Sequence, residues 1–438
     1  MKSIWIKGVD RPSFPCLKGD RKTDVLIIGG GITGILCAYF LKHAGVDCIL
    51  VEKDRICGGI TQNTTAKITA QHGLIYDQMM RRYGWQYAHL YFQAQQEALE
   101  QYHDLCRLFP CDYETQHSYV YGLKDRAALE REAGALRSLG ASASFKEEVP
   151  LGFSVAGCVC LENQAQFHPL KFLFQMAKDL PIYENTRILE LKPHKARFSQ
   201  GSVRFQAAIV ATHFPFLNRH GLYFLKLYQH RSYVLALKRA PSFDGMYVDA
   251  DQKGLSFRHY NGHLLLGGGS HRTGKQGGNW EELRKFARCH YPSSEEAAHF
   301  ATQDCMTLDG IPYIGLYSKN TPNLYVATGF NKWGMTSSMV SAMLLRDLVL
   351  QKQNDAARVF SPSRSMLHPQ LLINVAESAW GLLTPFSPRC PHLGCALHYN
   401  PQEHSWDCSC HGSRFTEEGK VIDNPAVREK ENLPQAPN

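Results

Sequence analysis

The sequence predicts a mixed α/β (α+β) fold with one large core and a small metal-holding β module near its C-terminal end. Three observations predict it. An apolar strand near residue 25 runs through a glycine turn into a helix and a second apolar strand. Strands dominate between Gln229 and Gly274. Two short boxes rich in cysteine and histidine lie between residues 390 and 413.

The first element begins at Asp24-Val-Leu-Ile-Ile and enters Gly29-Gly-Gly31-Ile32-Thr33-Gly34. A helical stretch from Ile35 to Ala44 comes next, then the strand Cys48-Ile-Leu-Val ending at Glu52 and Lys53. This strand–turn–helix–strand–acid order is the context that gives the G-x-G-x-x-G pattern its meaning as a Rossmann-like dinucleotide site. Gly29 permits the tight turn, Gly31 lets backbone approach a pyrophosphate, and Gly34 lets helix and strand pack closely. The helix start, with Ile32 and Thr33, turns unpaired N–H groups and a positive dipole end towards phosphate. Glu52 suits a ribose diol and repels a 2′-phosphate.

Gly58 to Gly73, containing Thr64-Thr65-Ala66-Lys67, comes where it can wrap from a ribose towards a second ring system. Residues 76 to 108 have a helical period, and Tyr83, Tyr87 and Tyr91 recur at i, i+4, i+8, which reads as core. Short strands and helices alternate over residues 110 to 165, and a helix runs from Leu170 to Ala177. One strand is expected around Ile188, and another from Ala207 ends at Ala211 and Thr212. Strands Arg231–Leu237 and His263–Gly267 come next. Leu308-Asp-Gly310-Ile-Pro312 then precedes the strand Leu324–Thr328, and Gly329-Phe-Asn-Lys-Trp333-Gly334-Met335-Thr336 opens a long helix. Residues 351 to 366 read as a linker. Leu371 to Leu383 is a helix or a short strand that docks the C-terminal module on the body.

The boxes are Cys390-Pro-His392-Leu-Gly-Cys395 and Cys408-Ser-Cys410-His411-Gly-Ser413. Each supplies one thiolate and one imidazole, so both must fold around one centre. Two sulfurs and two nitrogens suit a [2Fe–2S] centre with His₂ on one iron and Cys₂ on the other. They also suit tetrahedral zinc. The double box resembles that of Rieske proteins. The resemblance implies that Cys390 and Cys408 hold one iron and that His392 and His411 hold the other. It also implies a disulfide between Cys395 and Cys410. The module is short for a Rieske domain, since only about twenty residues separate the linker from Cys390. Trp406 and Phe415 are expected to shield the centre, and the tail beyond Pro425 to be mobile.

The fingerprint, the T-T-A-K stretch, the Ala211-Thr212 turn and the Gly310 and Gly329–Thr336 segments together resemble FAD-dependent oxidoreductases of the D-amino-acid oxidase and glycine oxidase superfamily. That resemblance covers most of residues 20 to 350. It implies an FAD domain from about 23–78, 165–215 and 305–350, within a 23–350 oxidoreductase body. An antiparallel substrate domain (about 79–164 and 216–304) is inserted in it. An extension (1–22) precedes the body, and a docking segment (351–385) and the cluster module (386–430) come after it. By resemblance, Gly29, Gly31, Gly34 and Glu52 take the ADP half, and Thr64 to Lys67 lie beside the flavin ring. Ile188 and Arg187 border the adenine, and Ala211 and Thr212 the dinucleotide. Gly310, Gly329 and Trp333 to Thr336 approach the pyrimidine side.

Composition narrows the alternatives. Forty-eight basic against 40 acidic residues give a charge of +8, but no basic run interleaves with aromatics, which excludes a nucleic-acid reader. No stretch has the length of a membrane span and Met1–Gly8 is no signal peptide, so the cytoplasm is expected. Of the 14 cysteines, those outside the boxes lie mostly in apolar segments and read as buried thiols. The expected activity is a dehydrogenase taking hydride from a C–H next to an amine, in an amine or amino-acid-like substrate. Its electrons pass singly through the cluster to a carrier or acceptor protein. The rivals are a peroxide-releasing oxidase with structural zinc, and an electron carrier without a small-molecule substrate. Arg231, Arg258, His259, Tyr260 and His271 lie on strands expected to line the substrate face. Lys67, Arg258 and Tyr260 are the catalytic candidates.

Overall fold

A computed structural model describes residues 3–218, 220–251 and 254–434. Arg21–Ile28 is the central strand of an eight-stranded sheet, parallel to Cys48–Val51 on one side and Gly201–Val210 on the other. Ile27 pairs with Leu50 and with Ile209. Cys48–Val51 and the C-terminal halves Val25–Ile28 and Ala207–Val210 are apolar and buried on both faces because helices cover the sheet there, as parallel sheets require. Leu324–Thr328 extends the parallel set, and Tyr313–Leu316 closes that edge antiparallel. Helices Ile32–His43 and Gly334–Val349 pack together against it, each almost wholly buried.

The second sheet has nine strands and is antiparallel except where Glu114–Gly122 runs parallel to Met246–Asp249. Its backbone is the long pair Leu227–Lys238 and Glu295–Thr307, in register from Leu227↔Thr307 to Ala236↔Ala298 and shifted from Leu237 onward. Helix Asn279–His290 covers the outer face through Trp280, Leu283 and Ala287. The inner face meets the first sheet.

The third sheet is a four-stranded antiparallel meander: Leu397–Asn400, Ser405–Cys408, Arg414–Thr416 and Val421–Asp423. The first box precedes it and the second joins its second and third strands. Trp406 and Phe415 are buried in its core.

Several expectations are corrected. The helical stretch over 76–108 is two helices, Ile75–Tyr83 and Trp85–Leu108, broken at Gly84 with φ +86°. Tyr91 is core, but Tyr83 and Trp85 are 38% and 49% exposed, so the aromatic stripe is only half buried. Ile188 itself lies in the loop between two short strands, Ile182–Tyr183 and Glu190–Lys192. The backbone there bonds to the loop after the second strand, Thr186 N–H to Glu52 O at 2.8 Å and Asn185 N–H to Asp54 O at 2.9 Å. The lead-in is anchored, since Trp5 is fully buried and its Nε1–H donates to Thr64 O at 2.7 Å. The stretch read as a linker packs into the body through Val359 and Phe360, and buried Arg364 grips Asp309. Leu371–Leu383 resolves as part of helix Pro369–Leu383. The chain beyond Pro425 is held rather than loose: Ala426 N–H donates to Ser413 Oγ, and Lys430 N–H to Gly419 O. Met1 and Gln435–Asn438 lie outside the described residues. No helix among the described residues is long and apolar enough to cross a membrane.

Candidate active site and metal centre

The glycine turn is built so that only glycine fits. Gly29 has φ +113°, and a Cβ there would lie 2.5 Å from Ala211 O; at Gly34 it would lie 1.9 Å from Gly29 O. Glu52 stands at the strand end, with Oε2 accepting from Gly30 N–H at 2.7 Å and Oε1 from Asp54 N–H at 3.0 Å. Burial raises its pKa while these N–H groups pull the other way. A cavity of about 1030 Å³ runs from this turn to the inner face of the second sheet. It is lined by every dinucleotide residue expected from sequence except Gly34, Ala66, Gly329 and Thr336, which stand just behind the wall. Its volume is at the top of the range for small-molecule sites, and its glycine cradle fits FAD.

Of the three catalytic candidates, only Lys67 faces the cavity. Its Nζ lies 3.3 Å from Thr65 Oγ1, and burial, then the nearby Arg258, bring its pKa down to about 7. Arg258 braces the loop from behind. It is fully buried and donates to the carbonyls of Thr65, Ala66 and Phe167, with Trp5 and Tyr260 rings at 5.2 and 5.8 Å. Tyr260 points the other way, its hydroxyl donating to Asp112 Oδ2 at 2.7 Å. Arg231, His259 and His271 are also absent from the cavity wall. Arg231 is paired with Glu403 of the cluster module, His271 meets Tyr233 Oη at 3.0 Å, and His259 packs on Phe243.

On the far side, His72 stacks on Trp333 at 4.9 Å and meets Thr336 Oγ1 at 3.1 Å and Tyr91 Oη at 2.7 Å. Burial lowers its pKa to about 3, so the ring is neutral. Asn331 and Lys332 are consecutive residues with positive φ, +51° and +73°. Such backbone is costly away from glycine and concentrates at functional turns. Sequence reasoning missed Ser232, Ser270, Asp304 and Lys332 in this wall. The signal was there: Thr302, Asp304 and Met306 alternate along one strand and all three line the cavity.

The metal centre is made by two matching turns. Cys390 N–H donates to Cys395 O and Gly394 N–H to Cys390 O; Cys408 N–H donates to Ser413 O and Gly412 N–H to Cys408 O. Gly394 and Gly412 take φ +80° and +81°. The His392 and His411 rings meet at 4.9 Å. His392 Nδ1 and both ring nitrogens of His411 are buried without a hydrogen-bond partner, while His392 Nε2 lies 2.8 Å from Asn218 Oδ1. Orphaned imidazole nitrogens beside buried Cys390 and Cys408 fit a metal cluster held by those four residues. The expected Cys395–Cys410 disulfide is not formed. The two are unbonded cysteines whose sulfurs lie within 4.8 Å of each other, and Cys410 Sγ also lies 3.5 Å from Glu377 O.

Cluster module and body are joined by buried polar contacts. Gln229 Nε2 donates to His411 O at 2.7 Å and Asn424 O at 2.9 Å, and Gln303 Nε2 donates to Gly412 O at 2.8 Å. Asn424 Nδ2 donates to the carbonyls of Thr212 and Phe214. Residues 421–424 and 426–427 form part of the wall of the same cavity that Gly29 and Glu52 line.

Comparison with known proteins agrees with this geometry. Residues 24–348 match the family model of FAD dependent oxidoreductases (DAO), and residues 355–437 match that of the Rieske [2Fe-2S] domain. A Bacillus subtilis protein described as putative Rieske 2Fe-2S iron-sulfur protein YhfW is 35% identical, over 98% of this chain and 96% of its own length. Glycine oxidase from Geobacillus kaustophilus superposes with TM-score 0.67 at 18% identity, over 79% of this chain and 100% of its own. L-proline dehydrogenase from P. horikoshii gives 0.66 at 15% identity, over 79% and 98%. The cofactors that these matches imply are FAD and a [2Fe–2S] cluster, which sets aside structural zinc. The cradle at Gly29 and Gly34, the paired Cys/His turns and both family matches converge, and the chain belongs to the FAD-dependent oxidoreductases of the DAO family, with a Rieske domain at its C-terminal side.

Proposed function

We propose that this oxidoreductase is a dehydrogenase for amine or amino-acid-like donors, working in the cytoplasm and passing electrons singly through its cluster to an external acceptor. The observation that carries the reading is the docking of the cluster module. Its segment 421–427 shares the FAD cavity, and its histidine side is turned onto the body at Asn218 and Gln229. When bound, FAD supplies a hydride acceptor and the cluster a one-electron exit. The chain supplies the rest. Glu52 would hold the ribose hydroxyls, the N–H groups at the start of Ile32–His43 would take the pyrophosphate, and Lys67 would offer a cation to the ring. Neutral His72 fixes Trp333 without adding charge. In this reading residues 386–430 hold the cluster and 351–385 dock it. The amine preference draws support from the fold shared with glycine oxidase and L-proline dehydrogenase.

The test is anaerobic mixing of the holoenzyme with a panel of amines and amino acids, then visible absorbance and low-temperature EPR. Loss of the flavin band together with growth of a rhombic signal of low average g is the expected result. Flavin bleaching with no EPR signal, and stoichiometric peroxide in air, would replace the dehydrogenase by an oxidase.

A further inference from the structure

The wall of the cavity facing the flavin-side loop carries a line of hydrogen bonds that neither the dinucleotide cradle nor the cluster site uses. Lys332 Nζ donates to Ser270 Oγ at 3.1 Å, Ser270 and Ser232 hydroxyls are 3.0 Å apart, and Ser232 Oγ donates to Asp304 Oδ2 at 3.3 Å. All four residues line the cavity. Among the described residues, the titratable groups that bear on Asp304 are Lys332, Arg231 and His213, the last with its pKa lowered by burial. Arg231 is already committed to Glu403, and the charges of Asp304 and Asp251 both act on Lys332. Asp304 is thus the carboxylate that this line of hydrogen bonds presents to the cavity.

The arginines point the same way. A free carboxylate next to the reacting nitrogen calls for a guanidinium clamp. Among the described residues, no arginine of the second sheet lines the cavity: Arg231 serves Glu403, Arg258 the carbonyls of residues 65–66 and 167, and Arg272 those of Ser409 and Cys410. The strand Glu295–Thr307 instead presents the carboxylate of Asp304 to the cavity.

We infer that Asp304 binds the protonated nitrogen of the donor and accepts its proton, and that the donors are amines without a carboxylate beside that nitrogen. This rests on the amine-dehydrogenase reading and narrows it. In the step, one ammonium N–H bond breaks and the proton goes to a carboxylate oxygen of Asp304. The nitrogen keeps the electron pair, and nothing is oxidised or reduced. Ser232 and Ser270 connect that oxygen to Lys332, which holds the far end of the line. Burial raises the pKa of Asp304 and lowers that of Lys332, so the two ends are closer in basicity than free side chains.

Calorimetry on dithionite-reduced holoenzyme, where no turnover occurs, tests the site. The probes are methylamine, butylamine and phenethylamine, each paired with its carboxylated counterpart glycine, norvaline or phenylalanine. At least one amine is expected to bind more tightly than its counterpart, and Asp304→Asn to weaken it by about tenfold to a hundredfold, the worth of a hydrogen bond to a charged group. Asp304→Glu, which keeps the charge, is expected to retain most of the binding and guards against misfolding as the cause. Unchanged amine affinity in Asp304→Asn, or tighter binding of the amino acids in wild type, would overturn the inference. If the oxidised holoenzyme is reduced by none of the probes yet amine binding still depends on Asp304, the dehydrogenase reading fails and the cation site stands.

Discussion

A methyl group at Gly34 would collide with the carbonyl oxygen of Gly29, and neither backbone segment has room to yield. Gly34→Ala is therefore expected to purify without visible flavin absorbance. Lys67 gives a prediction in pH. Its folded pKa of about 7 lies below the ordinary 10.5, so the flavin-free protein bears the full cost of its burial below pH 7. That cost fades as pH rises from 7 towards 10.5. Lys67→Met should raise the melting temperature of the flavin-free protein most at or below pH 7, and least near pH 10.5. The turn at Gly29, Gly31 and Gly34, the strand-end Glu52 and the two Cys/His boxes were legible as local patterns because each is contiguous and its spacing admits few other uses. Sequence reading misplaced Arg258 and Tyr260 because residue type does not say which face of a strand meets the cavity. It misassigned Arg231 because the partner, Glu403, lies 172 positions away.

Helix Pro369–Leu383 shows what a short apolar run withholds. Periodicity left helix and strand open, and the decision is made by its ends and its contacts. Pro369 opens it, His368 Nδ1 accepts from Gln370 N–H, and buried Asn374 bonds Arg272 and Leu225 O. Gly381 lies over the second box, where a Cβ would come 2.5 Å from Cys410 Sγ. Gly381→Ala should destabilise by about 1–3 kcal/mol, as overpacking usually does. Thermal melts and iron content per chain check it, and both are expected to fall. By contrast the parallel strands near residues 25, 50 and 208 were plain in the sequence, since burial on both faces leaves an unbroken apolar run. Gly84 ended a helix whose apolar period ran straight through it.

Across the whole molecule, body and cluster module meet around buried charges. Arg231 and Arg414 both pair with Glu403, and Arg414 also binds Asp407 and Asp423. Burial pushes the Glu403 pKa up, but the two guanidinium groups outweigh it and bring it to about 2. The stabilisation is complete above the ordinary carboxylate value of 4.5 and is lost as pH falls from there through 2. Glu403→Gln deprives Arg231 of its closest partner and should cost about 3–5 kcal/mol. Urea melts monitored by Trp fluorescence should show the loss at pH 7, with wild type approaching the variant as pH falls from 4.5 towards 2. Docking was expected from the segment before the boxes, but these partners were not legible in the sequence, because nothing local marks a contact between residues 231 and 403.

Residues 421–424 and 426–427 belong to the cavity wall as much as Gly29 does. If docking of the module narrows the way in, loading of FAD has a deadline. FAD present during refolding should fill the site, whereas FAD added after the module has docked should enter only as fast as the module lets go, a delay that flavin fluorescence quenching can time. On that outcome the cluster module is a timekeeper of biogenesis as well as a wall.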